Sequence, residues 1–138
     1  MSKKTKSILL ILGSSLSKGN TYQLSQDFSS LCDASIIDLN DYDISPWDYK
    51  HSNYNDDFII VARLMQKVDV IVFATPVYWY AMSSQMKTFF DRLSDLVSGH
   101  EKVVANKTIG RSFANKETFL LTTGCDSSLP EGFEVPFA

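Results

Sequence analysis

A short polar stretch between two apolar patterns carries the clearest chemical signal in this sequence. Residues 13–21 read Gly-Ser-Ser-Leu-Ser-Lys-Gly-Asn-Thr, and an apolar run at residues 8–12 precedes them. Leu24, Phe28 and Leu31 follow at the spacing of the buried face of a helix. A loop between a buried strand and a helix start offers N–H groups, hydroxyls and the positive end of the helix dipole. These features predict a phosphate site, although an ordinary strand-to-helix turn has a similar composition.

The spacing of the glycines disfavours the commonest nucleotide-binding loops. In ATP- and GTP-binding loops, four residues separate the first glycine from a Gly-Lys pair. Here Gly19 comes one residue late, and Asn20 follows it in place of lysine. Dinucleotide-binding folds need a glycine where this chain has Ser15. The loop therefore argues against ATP, GTP and a dinucleotide-binding fold.

Strand and helix patterns alternate along the rest of the chain. Apolar runs predict further strands at residues 35–39, 68–74 and 118–122, with helices between them. One helix is expected to be capped by Asn55 and to have a buried face through Phe58, Val61, Ala62 and Met65; another traces residues 82–97 and ends near Gly99. Such alternation, with strands apolar on both faces, predicts a parallel sheet covered by helices on both sides.

Three predicted loops meet at one edge of that sheet. They are residues 14–21, 75–80 and 122–126, and each follows a strand at its carboxyl end. Ligands of open α/β sheets bind at this edge. The second loop presents a proline and three aromatic residues, which are alternatively core or interface aromatics, and the third offers flexible backbone at Gly124. A planar, phosphate-bearing ligand would suit the three loops together.

Composition bounds the remaining possibilities. The 138 residues are 44% hydrophobic with a net charge of −3, which is typical of one globular domain and suggests no nucleic-acid partner. No apolar run is long enough to span a membrane. Cys32 and Cys125 form no close pair, so reduced thiols and a cytoplasmic location are expected. His51 and His100 are expected in solvent.

No side-chain pair in the sequence suggests acid–base or nucleophilic catalysis, and no metal site is predicted. Lys87, Asp91 and Arg92 are interpreted as ion pairs on a helix surface. Cys125 lies near the predicted ligand edge, but nothing in the sequence activates its thiol. The chemistry is therefore expected to come from a bound cofactor.

Three motifs resemble one known family. They are Gly-Ser-Ser-x-x-x-Gly-Asn-Thr, then Thr-Pro-Val-Tyr-Trp-Tyr, then Met-Ser-Ser-Gln-Met-Lys-x-Phe-x-Asp-Arg from Met82 to Arg92. Together they are similar to the flavodoxin-like NAD(P)H-dependent FMN reductases and NAD(P)H:quinone oxidoreductases, over residues 7–130. The resemblance implies an α/β fold, a three-layer αβα sandwich whose parallel sheet has strands in the order 2-1-3-4.

The resemblance also implies a cofactor site for FMN, with NADPH or NADH as the electron donor. The phosphate side would be Ser14, Ser15, Lys18, Gly19, Asn20 and Thr21; the ring side would be Pro76, Val77, Tyr78 and Trp79; the third loop would add Thr123, Gly124 and Cys125. No catalytic side chain is implied, because the flavin carries out the redox step. The acceptor would be a quinone, flavin, azo or nitro compound.

Two alternatives stay open, and the C-terminal part of the sequence bears on both. Only fifteen residues follow Thr123, too few for the family's fifth strand and last helix, so a C-terminally short single domain over residues 1–138 is expected. Exposed apolar surface at the last strand then favours a homodimer. The alternatives to an enzyme are a flavodoxin-type electron carrier and a flavin-free, non-catalytic remnant.

Overall fold

The computed structural model describes residues 5–97 and 113–125. Three helices and four strands alternate along these residues, as the periodicity predicts, and one further short strand follows the third. Their bounds are β1 (Ile8–Leu12), α1 (Asn20–Cys32), β2 (Ser35–Asp38), α2 (Phe58–Gln66), β3 (Val70–Tyr78), β4 (Ala81–Met82), α3 (Ser84–Val97) and β5 (Glu117–Thr123), with a short 3-10 helix at Leu39–Asp41.

The main strands form a parallel sheet in the order β2-β1-β3-β5. The strand predicted as the fourth is β5, so the predicted order 2-1-3-4 is confirmed. Leu9 lies opposite Ser35 and Ile71 in the ladders of β1, and Ile71 lies opposite Thr118. The short strand β4 was not predicted, and it pairs antiparallel with the end of β3.

Alternate residues of the central strands supply two separate cores, one on each face of the sheet. On one face, Leu9, Ile11 and Phe73 pack with the buried residues of α2 and α3. On the other face, Leu10, Leu12, Val70, Val72 and Ala74 pack with Tyr22 and Phe28 of α1. Strands apolar on both faces therefore lie between two helical layers, and the predicted αβα sandwich is confirmed.

Several predicted boundaries are wrong. Strand β3 runs on to Tyr78 instead of ending at residue 74, because residues 75 and 76 pair with β5 and the next two pair with β4. Helix α2 is preceded by Asp57, and Asn55 does not cap it. Leu31 is 86% exposed, so the buried face of α1 is shorter than its spacing predicts.

The segment of residues 42–57, here named the strap, is bonded to the buried guanidinium of Arg92. Arg92 is 1% exposed, so its interpretation as a surface residue is wrong. The prediction that His51 lies in solvent is wrong as well, because its side chain is largely buried and its Nδ1 lies 2.6 Å from Asp95 Oδ1. The guanidinium stacks 4.7 Å over the Phe58 ring. It donates hydrogen bonds to Asp56 and Asp95 and to the carbonyls of Ser45 and Asn53.

The charge of Arg92 is maintained by its partners. Burial alone lowers the pKa of Arg92, but hydrogen bonds and charges from Asp56 and Asp95 outweigh it and raise the pKa above its ordinary value. The guanidinium therefore stays protonated, and its contribution to stability is lost only as the pH rises through that raised pKa. By contrast, Lys87 and Asp91 form the exposed pair that their spacing predicts.

Some expectations fall outside the described residues. They are the helix end near Gly99, the environment of His100 and the absence of a fifth strand and last helix after Cys125. Across residues 5–97 and 113–125, none of the helices combines the length and apolar character that crossing a bilayer requires.

Candidate functional site

At the carboxyl edge of the sheet, hydrogen bonds join the first predicted loop to the third, and join Gly13, just before the first loop, to residues on either side of the second. The hydroxyls of Thr21, in the first turn of α1, and Thr123, at the end of β5, lie 2.7 Å apart. The carbonyl of Gly13 accepts a hydrogen bond of 2.6 Å from the Ser83 hydroxyl, just beyond β4. The Gly13 N–H donates to the Ala74 carbonyl at 2.8 Å. The first loop is thus bonded directly to the third, and the residue before it is bonded to residues before and after the second.

The predicted phosphate loop has an inner and an outer part. Ser14 is buried, and its Oγ accepts a hydrogen bond from the Leu16 N–H at 3.3 Å, so this hydroxyl shapes the loop. Asn40 donates a hydrogen bond to the Ser14 carbonyl. Ser15, Lys18 and Asn20 are exposed. Their side chains therefore line the outer surface of the loop.

The start of α1 has unpaired hydrogen-bond donors. Gly19 is the N-cap, and no side chain caps the helix. Within the described part of the chain, the N–H groups of Asn20, Thr21 and Tyr22 have no acceptor. Lys18, which directly precedes the N-cap in sequence, is exposed and forms no ion pair within the described residues. Free N–H groups, a helix dipole and a cation together favour an anionic ligand.

A second helix start lies next to the first. The Oγ of Ser15 is 3.4 Å from Oε1 of Gln85, in the first turn of α3. The Met86 N–H donates to the Ser83 hydroxyl at 3.2 Å, which gives α3 a serine cap. A Cβ on Gly13 would lie 2.9 Å from the Met86 Cβ, so only glycine allows the loop to approach α3 this closely. The positive ends of two helices therefore converge at this edge.

The predicted aromatic loop is a hairpin. Strands β3 and β4 are joined by Trp79 and Tyr80, whose φ angles are 50° and 59°. Two positive φ angles are typical of a tight turn that favours Asn-Gly. Trp79 is 97% exposed and Tyr80 60%, so the alternative interpretation as core aromatics is wrong for both. The preceding residues pass from buried Pro76 to half-exposed Tyr78.

The third loop follows β5 and is represented by few described residues. Thr123 lies opposite Pro76 in the ladder, which places it beside the second loop. Its hydroxyl is engaged by Thr21. Cys125 is exposed with a free thiol. The structure therefore gathers members of all three predicted groups at one edge, and it gives the buried hydroxyls of Ser14 and Thr21 structural partners.

Sequence reasoning assigned no role to three residues that hold this edge together. Ser83, Thr75 and Asn40 each make a hydrogen bond to another of the site's segments. The serine before α3 carries a recognisable cap signal. Its bond to Gly13, seventy residues away in sequence, has no local signal.

The parallel sheet in the order β2-β1-β3-β5, with helices on both faces, defines a flavodoxin-like fold. The model of the family described as NADPH-dependent FMN reductase matches residues 7–127, and the chain belongs to this family.

Individual relatives agree with this assignment. The chain is 34% identical over 93 residues to YwqN, a Bacillus subtilis (strain 168) protein named as an NAD(P)H-dependent FMN-containing oxidoreductase. The aligned region covers 63% of this chain and 51% of that protein. It is 29% identical over 82 residues to NAD(P)H dehydrogenase (quinone) 1 of Rattus norvegicus, and this aligned region covers 59% of this chain and 29% of that protein. The solved structure of the Trp repressor binding protein from Bacillus subtilis is similar with a TM-score of 0.68 and 24% identity, covering 94% of this chain and 69% of that chain. The chain thus spans about half the length of the first relative and less than a third of the second.

Proposed function

We propose that this chain binds FMN and passes electrons from NADPH or NADH to a small-molecule acceptor. The observation that carries the proposal is the meeting of the three loop regions at one sheet edge, where Thr21 bonds to Thr123 and Gly13 bonds to Ser83, beside a helix start with no side-chain cap among the described residues. Membership of the FMN reductase family supports it. The FMN-containing and quinone-reducing relatives support the same reaction class.

The residues at the start of α1 fit the phosphate of FMN. The free N–H groups of Asn20 and Thr21 and the cation of Lys18 are complementary to a dianion. Ser15 is exposed and adds a hydroxyl donor, while Gly19 leaves room for close approach. Ser14 contributes by fixing the loop. These residues would hold the cofactor's charged end.

The second and third loops fit the flavin ring. Pro76, Val77, Tyr78 and Trp79 would lie along the ring on one side, and Thr123, Gly124 and Cys125 on another. Bound FMN supplies the chemistry by accepting a hydride and releasing electrons singly or in pairs. The exposed aromatic rings of the hairpin would stack on a planar acceptor and shield the reacting face from water.

An FMN titration followed by mixing with NADPH tests the proposal. We expect the purified chain to bind FMN more tightly than riboflavin, because only FMN engages the start of α1. We also expect NADPH to bleach the bound flavin in a stopped-flow experiment. A flavin that stays yellow would identify an electron carrier instead. Absence of FMN binding would favour a flavin-free protein.

The finer features of the function are proposals as well. We propose that the acceptor is a quinone, flavin, azo or nitro compound, because the hairpin offers aromatic surface but no charged group. We propose a cytoplasmic homodimer formed by a single domain, supported by the exposure of Phe119 and Leu120 on opposite faces of β5. A light-scattering mass of one protomer at micromolar concentration would refute the dimer.

A further inference from the structure

One fully buried serine connects the two halves of the candidate site. Ser83 is 0% exposed, and its hydroxyl donates to the Gly13 carbonyl at 2.6 Å. Its N–H donates to the Thr75 hydroxyl at 3.0 Å. Its oxygens accept from the first turn of α3: Oγ from the Met86 N–H at 3.2 Å and the carbonyl from the Lys87 N–H at 2.9 Å. Both backbone groups and the hydroxyl are therefore engaged.

The partners of Ser83 belong to three different elements. Gly13 lies between β1 and the phosphate loop, while Thr75 lies in β3 immediately before the strand segment assigned to the flavin ring. A cap needs only the bond from Met86. In addition to this cap, the Ser83 hydroxyl donates its proton across the sheet edge to the Gly13 carbonyl. Because Gly13 has no Cβ, it can approach the start of α3 this closely. This arrangement fixes the separation between the loop and the strand.

We propose that Ser83 is a positioning residue that sets the distance between the phosphate loop and the ring-binding strand. The proposal rests on the proposed FMN function and adds a residue to it. FMN has its phosphate and its ring at opposite ends, so it engages both segments only when their separation matches its length. A segment held in place before binding loses less conformational freedom on binding. Loss of the Ser83 hydroxyl therefore weakens FMN binding even where the fold persists.

The test compares Ser83→Ala with Ser84→Ala. Ser84 is exposed, and within the described residues its hydroxyl hydrogen-bonds only to Gln85, so it is a matched control in the same segment. We expect Ser83→Ala to raise the Kd for FMN about tenfold and to slow flavin reduction by NADPH at saturating FMN. Ser84→Ala leaves both unchanged. A lower melting temperature with an unchanged Kd would overturn the proposal.

A second readout needs no flavin. Hydrogen exchange at the Gly13 amide, which bonds to Ala74, is expected to be about tenfold faster in Ser83→Ala than in the wild type, relative to the core amide of Val72. Unchanged relative exchange would overturn the proposal. If the wild type fails to bind FMN, the proposed function fails, and this measurement still decides whether Ser83 positions the loop.

A variant on the partner side covers the case in which Ser83→Ala does not fold. Thr75→Val removes the acceptor of the Ser83 N–H with little change of shape, whereas Thr75→Ser keeps it. We expect Thr75→Val to weaken FMN binding and Thr75→Ser to restore it. Equal Kd values for these two variants and the wild type would refute the positioning role.

Discussion

The hairpin turn stores backbone strain, and its removal provides a sharp test of the site. Trp79 and Tyr80 both have positive φ, which disfavours bulky side chains by about 1–2 kcal/mol per residue. Asparagine and glycine adopt this conformation readily, although glycine costs about 0.5–1 kcal/mol of chain entropy. The two side chains are exposed and bury little apolar surface. The double variant Trp79→Asn, Tyr80→Gly is therefore expected to be more stable by about 1–2 kcal/mol.

Thermal unfolding of the flavin-free protein measures this gain. For a chain of this size, 1 kcal/mol corresponds to a rise of about 4 °C, so the melting temperature is expected to increase by about 4–8 °C. Trp79→Phe is the matched control, because it keeps an aromatic ring on the strained backbone and should melt with the wild type. In the same double variant, kcat/KM for a quinone is expected to fall about tenfold, since aromatic stacking contributes up to about 1.5 kcal/mol.

Two results would contradict this reasoning. A lower melting temperature in the double variant would show that the turn residues stabilise the fold more than their φ angles destabilise it. A higher melting temperature with unchanged quinone reduction would show that the strain is real but that the aromatic rings take no part in the reaction. The expected pattern, more stability with less activity, is the one produced by a strained functional turn.

Three other substitutions test the remaining parts of the structure. Arg92→Met leaves two buried carboxylates without their cation, so urea unfolding should show a loss of about 3–5 kcal/mol, against less than about 1 kcal/mol for the exposed pair broken by Lys87→Met. Equal losses would disprove the difference in burial energetics. Gly13→Ala forces the loop away from α3, and we expect about 1–3 kcal/mol less stability together with weaker FMN binding in a titration. Lys18→Ala should raise the Kd for FMN severalfold at low salt but not at about 1 M salt, and should leave riboflavin binding unchanged; a salt-independent effect would contradict a purely electrostatic role.

The sequence predicted the parts of the fold that depend on local periodicity. Residues 8–12 are apolar without interruption, and this pattern indicated a strand buried on both faces, as β1 is. The strand order followed from the family resemblance, whereas the placement of the three loops at one edge followed from the alternation of strands and helices in a parallel sheet. The exposed Lys87–Asp91 pair was predictable because its spacing of four residues is itself local.

The errors concern residues whose partners are distant in sequence. Arg92 has the spacing of a surface residue. It is buried because the strap packs over it, and its partner Asp56 in the strap lies 36 residues away in the sequence. Strand β3 extends past its predicted end at residue 74, because β5, more than 40 residues later in the sequence, pairs with it as far as Pro76. The role of Ser83 was not predicted, because its partner Gly13 lies 70 residues away in the sequence, just after β1. None of these contacts leaves a periodic signal.

Two residues of the α3 region affect different properties: Arg92 contributes to the stability of the fold, and Ser83 to the geometry of the site. Ser83, the residue before the first turn of α3, bonds to Gly13 at the base of the phosphate loop, whereas Arg92 lies eight residues after the helix start and so about 12 Å further along the axis. Loss of Arg92 therefore changes the free energy of unfolding with little effect on the edge that would hold FMN. Loss of Ser83 changes both, since its bonds define that edge. The ratio of the change in FMN affinity to the change in stability distinguishes a positioning residue from a structural one on the same helix.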